Sequence, residues 1–250
     1  MTDMPTPTIR QTTLAAGALA GAWAGSAAAQ DAPASHAGPT FSASAGVASD
    51  YLFRGVSRSA DRAEGFGSVD AAYADGYAGV WASNAAFGGP GERTRAGAEI
   101  DAYAGWRPEF RGYSLDIGAQ YTAFAGLPAA VGEGYVEVHA KASRSIGPVT
   151  GHLGLRYSPD FFAHGGNAWY GEAEADYALA PDWSLSAGAG YQSVEQASVL
   201  QRGEYVTWNA GVTHNFGDHL AVDLRYSDTD HPSFLPAYGG RLVGQIRARF

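Results

Sequence analysis

The chain has 250 residues, no cysteine and a formal net charge of −9 at pH 7. The acidic balance argues against a nucleic-acid partner, because phosphate binding requires a basic surface, and the lack of cysteine excludes disulfides and thiolate metal sites. Charged residues make up only 16%, below the quarter or so of soluble domains, and no window supplies the roughly 20 apolar residues of a membrane-spanning helix.

The N-terminal segment is typical of a secretory leader. Arg10 precedes a short apolar run at 14–23, and Ala27-Ala28-Ala29 offers an A-x-A cleavage site. This pattern predicts a signal peptide over residues 1–29, with an alanine-rich disordered leader as the alternative. Residues 30–40 are expected to form a flexible lead-in, and residues 41–250 a single β-barrel domain.

The rest of the chain alternates between apolar and polar residues without a helical period, which predicts strands. In one segment, for example, Ile100 and Trp106 share the apolar face while Glu99 and Asp101 share the other. The twelve predicted strands lie near 41–54, 65–74, 77–87, 95–106, 113–122, 135–142, 149–157, 169–179, 183–193, 204–214, 220–226 and 241–250.

The connections between these strands differ in length at the two ends. The dipeptide Asp75-Gly76 predicts a two-residue hairpin, which would place Asp70 opposite Trp81. Short connections at 75–76, 107–112, 144–148, 180–182 and 215–218 alternate with longer ones such as 88–94, 125–133, 159–168, 194–203 and 227–239. This asymmetry is typical of bacterial outer-membrane barrels, which have short periplasmic turns and longer surface loops.

Aromatic residues on the apolar faces gather at the strand ends, as the two membrane interfaces require. The stretch Ser49–Ser59 (SDYLFRGVSRS) is expected to continue the first strand, with Tyr51 and Phe53 toward lipid and Asp50 and Arg54 toward the interior. The short-turn girdle comprises Tyr73, Trp106, Tyr113, Tyr177, Trp183 and Phe250. The long-loop girdle comprises Tyr51, Phe53, Tyr121, Tyr157, Trp169, Tyr191 and Tyr226.

These patterns together predict an all-β fold, a transmembrane antiparallel up-and-down barrel of about 12 strands. Because open sheet edges are not tolerated in hydrocarbon, the last strand should pair with the first. A soluble β-sandwich is the alternative. The expected location is the outer membrane of a Gram-negative bacterium, in contact with its lipid. A terminal strand ending in Phe250 resembles the signal that the barrel-assembly machinery recognises, which makes that machinery an expected partner.

Two stretches carry a family resemblance. The first contains Ser49, Asp50, Tyr51, Phe53, Arg54, Gly55 and Ser57, and the second contains Tyr77, Gly79, Trp81, Ser83 and Asn84. With S-D-Y-x-F-R-G-x-S followed by Y-x-G-x-W-x-S-N, the sequence resembles the TorF-type family of proteobacterial porin-like proteins, also called Gcw_chp. The resemblance implies an outer-membrane barrel with porin activity and gives no substrate.

The inward faces of the predicted strands carry many charges, which suit a hydrated channel better than a dry core. Two interpretations stay open: a transverse field between a basic wall (the last strand with Arg54) and acidic walls, or ion pairs that brace the barrel. The predicted lumen-lining residues are Asp50, Arg54, Asp70, Trp81, Glu99, Asp101, Asp116, Glu137, His139, Lys141, His152, Arg156, Glu172, Glu174, Asp176, Asp223, Arg225, Arg241, Arg247 and Arg249.

The predicted function is a porin-like channel for passive diffusion of ions or small hydrophilic solutes, with no cofactor, no catalytic residue and no metal. Twelve strands give a backbone diameter of roughly 24 Å and a bore of roughly 10–14 Å at most. The alternatives are a plugged barrel with a structural or surface-binding role, and an outer-membrane lipid-modifying enzyme. The enzyme hypothesis rests on His139 and His152, which strand parity places opposite each other if the turn at 144–148 is tight.

Overall fold

The computed structural model describes residues 38–87, 95–126, 134–196, 203–231 and 236–250. The predicted signal peptide and residues 30–37 of the predicted lead-in lie outside the described residues. Twelve long strands make up the structure: β1 (Thr40–Ala48), β2 (Glu64–Tyr73), β3 (Gly76–Phe87), β4 (Arg95–Trp106), β5 (Tyr113–Ala125), β6 (Gly134–Ile146), β7 (Val149–Ser158), β8 (Ala168–Ala180), β9 (Trp183–Val194), β10 (Glu204–Phe216), β11 (Leu220–Thr229) and β12 (Arg241–Arg249).

The strands form one closed antiparallel barrel. Each long strand pairs with its neighbours in the chain, and β12 pairs with β1, with Val47 opposite Ile246. Phe250 extends this last seam, because its backbone N–H and C=O both bond to Ala43, at 2.9 and 3.0 Å. Closure leaves no free edge, as a sheet surrounded by lipid requires. The predicted fold class, strand number and closure are confirmed.

Alternation along the strands separates an apolar exterior from a polar interior. Val69 is 63% exposed and Leu153 is 66% exposed on the outside. Their chain neighbours Ser68, Asp70 and His152 are buried on the inside. An apolar belt on the outer surface of a closed barrel is the arrangement of transmembrane β-barrels, whose outward residues face lipid.

Exposed aromatic side chains flank this belt at both ends. At the short-turn end the exposed ones are Tyr73, Trp106, Tyr113, Tyr177, Trp183 and Phe250. At the long-loop end they are Tyr121, Trp169, Tyr191 and Tyr226. Tyr157 is half-buried against the ring of Trp169, at a centroid distance of 4.5 Å.

The assignment of Tyr51 and Phe53 to the long-loop girdle is wrong. Strand β1 ends at Ala48, and residues 49–63, here called the inner loop, fold into the barrel. Within the inner loop, Leu52–Phe53 pairs with Val56–Ser57 to form a small hairpin. Tyr51 and Phe53 are therefore only 6% and 5% exposed.

The first short hairpin also differs from the prediction. Tyr73 pairs with Gly76, so Ala74 and Asp75 form the turn and Ala74 takes a positive φ of 50°. Asp70 consequently lies opposite Gly79, and Trp81 lies opposite Ser68. The shift is two residues, so every side chain keeps its predicted face.

The remaining elements are short. Glu109–Phe110 pairs with the start of β5 inside one short connection. Single 3₁₀ turns occur at Phe162–His164 and Pro236–Tyr238 in two of the long loops. Within the described ranges, no helix is long and apolar enough to cross a membrane.

Candidate channel lumen

Asp50 closes the inner loop on itself. Its Oδ1 accepts hydrogen bonds from the hydroxyls of Ser57 at 2.7 Å and Ser59 at 2.6 Å. Its Oδ2 accepts a bond from Arg241 of β12 at 2.7 Å. Ser59 Oγ also accepts a bond from the backbone N–H of Tyr51 at 2.9 Å. Charge-assisted hydrogen bonds of this kind are strong. Those of Asp50 join the two ends of the loop to each other and to β12, so the tip of the loop has a defined position inside the barrel.

Arg54, at the tip of the inner loop, reaches across to the opposite wall. Its guanidinium donates to both carboxylate oxygens of Glu137 on β6, at 2.8 and 2.9 Å, and to Gln192 on β9 at 2.6 Å. It also lies over the rings of Phe53 and Tyr170, 4.5 and 4.4 Å from their centroids. Burial lowers the pKa of Arg54, but the charge and hydrogen bond of Glu137, together with Tyr135 and Tyr170, raise that pKa above its ordinary value, so Arg54 stays charged.

Arg58 makes a second anchor of the same kind. It donates to both oxygens of Glu99 on β4, at 2.8 and 2.7 Å, and stacks 3.5 Å from the centroid of the Phe53 ring. Glu99 also accepts a bond from the hydroxyl of Tyr51 at 2.9 Å. Burial lowers the pKa of Arg58, yet Glu99, Tyr135 and Tyr51 together raise it well above the ordinary value. Two buried bidentate ion pairs thus hold the inner loop against β4 and β6.

Aromatic rings fill the space between these anchors. The ring of Phe53 stacks on Phe161 at 6.5 Å and packs in one buried cluster with Phe124 and Tyr135. The ring of Tyr51 packs on Trp81 at 5.5 Å. The inner loop therefore crosses the interior, from β3 and β4, which hold Tyr51 and Arg58, to β6 and β9, which hold Arg54.

The two stretches that carry the family resemblance meet at this point. Besides the contact between Tyr51 and Trp81, Asn84 on β3 accepts a bond from the backbone N–H of Gly65 at 2.5 Å and donates to the carbonyl of Ala63 at 3.2 Å. Asn84 therefore fixes the chain where the inner loop rejoins the barrel. Each stretch supplies one half of a single packed unit, which a strand pattern alone does not reveal.

Gly55 allows the tip of the inner loop to lie against the barrel wall. Its φ is +80°, a conformation that other residues rarely adopt. A Cβ at this position would collide with the hydroxyl of Thr207 on β10 and approach the methyl of Thr229 to 2.9 Å. Glycine is therefore required here both by backbone conformation and by space.

The interior also contains a polar cluster near the short-turn end. Asp116 accepts hydrogen bonds from the hydroxyl of Tyr77 at 2.7 Å and from Arg107 at 3.0 Å. His139 Nε2 lies 3.2 Å from Asp116 Oδ1. The hydroxyl of Tyr103 donates to Asp70 nearby. The carboxylates of Asp116 and Asp70 are thus both hydrogen-bonded, whereas the two terminal nitrogens of Arg107 are buried without a hydrogen bond among the described residues.

The predicted pairing of His139 with His152 is wrong. The turn consists of Gly147 and Pro148, because Val149 pairs with Ile146. His152 therefore lies opposite Ser143, and His139 lies opposite Arg156. Among the described residues, no three His, Asp or Glu side chains are grouped in a way that could hold a metal ion.

A serine lies beside one of these histidines. Ser143 Oγ lies 2.7 Å from His152 Nδ1, and His152 Nε2 lies 2.9 Å from Asp176 Oδ2. A hydrolase triad has the opposite order, with the serine on Nε2 and the aspartate on Nδ1, and needs free N–H donors for an oxyanion. Here β6 is paired on both sides at Ser143, so the trio is better explained as a satisfied polar network.

Most predicted lumen residues lie on the inside of the barrel, and many are ion-paired. Arg54 lies in the inner loop rather than on β1. It therefore does not form the expected basic wall with the arginines of β12. Arg241 bonds to Asp50, and Arg247 lies over the ring of Phe66. Buried are Asp50, Arg54, Asp70, Trp81, Glu99, Asp101, Asp116, Glu137, His139, His152, Arg156, Asp176, Asp223, Arg225 and Arg247. Half-buried are Lys141, Glu172, Glu174, Arg241 and Arg249.

Sequence reasoning missed several interior residues. Arg58 lies in the inner loop, which the strand pattern does not reveal, and Arg107 lies in a short connection. Gln192 is uncharged, and Glu64 begins β2 one residue before the predicted boundary. A signal for Arg58 was present in the sequence, since two arginines flank Gly55 in a stretch rich in serine.

A cavity of about 40 Å³ lies beside the tip of the inner loop. Leu52, Arg54 and Gly55 line it from the loop. The wall contributes residues of β8, β10 and β11: Tyr170, Glu172, Glu174, Thr207, Asn209, Arg225 and Ser227. A polar cavity of this size has room for a few water molecules or one small ion.

Comparisons with known proteins agree with the barrel. Residues 29–246 match the model of a family described as "Bacterial protein of unknown function (Gcw_chp)", and no curated protein matches. A KdgM porin in complex with disordered oligogalacturonate has a TM-score of 0.56 at 9% identity, covering 84% of this chain and 99% of that one. An outer membrane channel from Pseudomonas putida F1 has a TM-score of 0.54 at 12% identity, covering 88% and 97%. A NanC porin has a TM-score of 0.51 at 9% identity, covering 84% and 98%.

At these identities the likeness concerns the fold. The fold and the apolar belt with its aromatic girdles identify an outer-membrane β-barrel of a Gram-negative bacterium.

Proposed function

Since the chain belongs to the Gcw_chp family of bacterial proteins, and since it folds as a closed transmembrane barrel, we propose that it is a porin-like channel for passive diffusion of ions and small hydrophilic solutes. The observation that carries the proposal is the chemical division of the barrel into an apolar outer face and an inner face rich in charges. Charges in such numbers are stable inside a barrel only when they are paired or hydrated.

The inner loop sets the width of the proposed passage. Because Arg54 and Arg58 fix the loop to β6 and β4, and its tip at Gly55 lies against β10, the loop narrows the bore. The cavity between Arg54 and the wall formed by β8, β10 and β11 then marks the route left for solutes. Passage along it needs only a gradient, without a cofactor or a chemical step.

The similarity to known barrels supports this proposal at the level of fold. The KdgM and NanC structures are named as porins, and the Pseudomonas putida protein is named as an outer membrane channel. Their solutes are not transferred to this chain, since the sequence identities are 9–12%.

A second candidate function is a closed barrel with a structural or surface-binding role. The observation that favours it is the burial of the inner loop: the side chain of Arg54 is 0% exposed, and that of its partner Glu137 is 2% exposed. In this case the inner loop is a permanent plug, and the charged interior is a network of ion pairs.

Vesicle swelling distinguishes the two candidates. The refolded protein is reconstituted into lipid vesicles and mixed with an osmotic excess of glycerol, a monosaccharide or a trisaccharide. The channel proposal expects swelling with glycerol and little or none with the monosaccharide or the trisaccharide, because the inner loop leaves room only for small solutes. Vesicles that contain folded protein but swell no faster than empty vesicles with any solute would support the plugged barrel.

A further inference from the structure

Two arginines of β12 differ from the other cations of the barrel interior. Arg247 and Arg249 share the inward face of the last strand, in its short-turn half. Neither lies within ion-pair distance of a carboxylate among the described residues. The other interior cations each have such a carboxylate: Arg54, Arg58, Arg107, Lys141, Arg156, Arg225 and Arg241. The two arginines of β12 therefore carry positive charge that the described part of the barrel leaves uncompensated.

The guanidinium of Arg247 is held in the wall but is not enclosed. The residue is only 7% exposed, and its Nε is buried without a hydrogen bond to any described residue. The two terminal nitrogens likewise have no hydrogen-bond partner within the described ranges, but they are not buried. On one side the centroid of the Phe66 ring lies 5.3 Å from the guanidinium carbon, close enough for a cation–π contact. The unused N–H groups of Arg247 therefore open onto the lumen.

Small residues lie beside both arginines. Gly46 of β1 and Ala221 of β11 are opposite Arg247, and Ser44 of β1 is opposite Arg249. A Cβ at Gly46 would collide with the ring of Phe66, so the glycine lets that ring pack beside the guanidinium. Because the side chains on both neighbouring strands are short, they do not reach across the two guanidinium groups.

The electrostatics around Arg247 favour a bound anion. Arg247 and Arg249 are about 6.8 Å apart along the strand. Of the neighbouring charges, Arg249 has the largest effect on Arg247, ahead of the carboxylates of Glu64 and Asp223. Asp223 is already bonded to Arg225 at 3.2 Å. Two like charges side by side in the barrel wall repel each other, and an anion that contacts both would offset this repulsion.

We propose that Arg247 and Arg249 form a subsite for an oxyanion, the carboxylate or phosphate group of a small solute, in the short-turn half of the lumen. The inference rests on the proposed channel function and names the class of solute that the passage favours. A guanidinium presents N–H donors in a fork that matches the edge of a carboxylate or a phosphate. Arg247 supplies the buried contact, and Arg249, which is half-buried nearer the end of the barrel, supplies the second charge.

Binding of inorganic phosphate and of acetate to the refolded protein in detergent tests the subsite. The NMR line width of each probe, titrated separately at constant ionic strength, reports its binding. We expect wild type to bind at least one probe. Arg247→Gln and Arg249→Gln should each weaken that binding about tenfold, because each removes charge-assisted hydrogen bonds. The matched control is Arg111→Gln, which removes an exposed arginine at the same end of the barrel and should leave the affinity unchanged.

The probe whose binding depends on the two arginines identifies the source of the negative charge as phosphate or carboxylate. Gel mobility before and after heating shows which variants are folded. Equal binding by wild type and by folded Arg247→Gln and Arg249→Gln would overturn the subsite. Failure of folded wild type to bind either probe would overturn it as well.

Recording in a planar bilayer separates the subsite from the channel. If both exist, the probe that binds should reduce the Cl⁻ current of wild type and have a weaker effect on folded Arg247→Gln. A conducting wild type without arginine-dependent binding would overturn the subsite and leave the channel standing. A silent membrane containing folded wild type that binds the probe through Arg247 would overturn the channel and leave the subsite standing.

Discussion

Arg54 illustrates how one side chain links the loop, the interior and the proposed function. A lysine could supply the charge, but only a guanidinium can donate to both oxygens of Glu137 and to Gln192 while stacking on Tyr170. The residue was predicted to face the interior. Its partner could not be predicted, because Glu137 lies 83 residues further along the chain.

Replacing Arg54 by alanine should release the inner loop. The change leaves Glu137 buried with Arg156 at 4.0 Å as its remaining cationic neighbour, and breaking a buried ion pair costs about 3–5 kcal/mol. We expect a free energy of unfolding in urea lower by about 3 kcal/mol, together with a larger conductance. Arg62→Ala, which removes an exposed charge from the same loop, is the control. Equal stability of the two variants would contradict the role of Arg54 as an anchor.

Gly55 and Gly112 form a natural pair for testing the fit of the loop tip. Both have positive φ, +80° and +77°, but a Cβ at Gly112 would meet nothing within 4 Å. Gly112→Ala should cost about 1–2 kcal/mol, the cost of the backbone conformation alone. Gly55→Ala should cost more, because it adds the collision with Thr207. Unfolding titrations of the two variants measure the difference, and equal losses would show that the loop tip does not pack against β10.

At the scale of elements, the inner loop shows where periodicity fails. Tyr51 and Phe53 alternate with the charged residues Asp50 and Arg54, as in a strand, so the sequence predicts that β1 continues through this stretch. The structure instead forms a hairpin whose apolar and charged side chains are all inside, because β4 and β6 supply Glu99 and Glu137 as partners. Gly55 and the serines that bond to Asp50 were the local signs of a turn.

Removing the tip of the inner loop should widen the passage. The backbone N–H of Arg58 donates to the carbonyl of Tyr51 at 2.7 Å, so Gly-Gly can replace Leu52–Ser57 without moving the ends of the deletion. Because this variant loses Arg54 and Phe53, we expect a single-channel conductance several times that of wild type.

The control for this deletion is Glu109→Gly with Phe110→Gly, which changes an exposed short connection at the other end of the barrel. Gel mobility before and after heating reports folding for both variants. A folded deletion variant with wild-type conductance would show that the inner loop does not limit the passage.

At the scale of the whole molecule, the barrel was predictable because the features that indicate it lie within single strands and their connections. Alternation, aromatic residues at strand ends and unequal connection lengths each follow from the contact of every strand with lipid on one side. Register was less predictable, since a shift of two residues, as at Ala74 and Asp75, leaves every face unchanged. The interior network depends on pairs distant in the chain, such as Arg58 with Glu99, which strand patterns do not specify.

If a polar passage runs beside the inner loop through this barrel, single-channel recording of the refolded protein in a planar bilayer will detect it. We expect discrete, uniform conductance steps for wild type and larger steps for the variant in which Gly-Gly replaces Leu52–Ser57. If folded, inserted wild-type protein and that variant both leave the membrane silent, the passage does not exist, and the barrel is a closed scaffold.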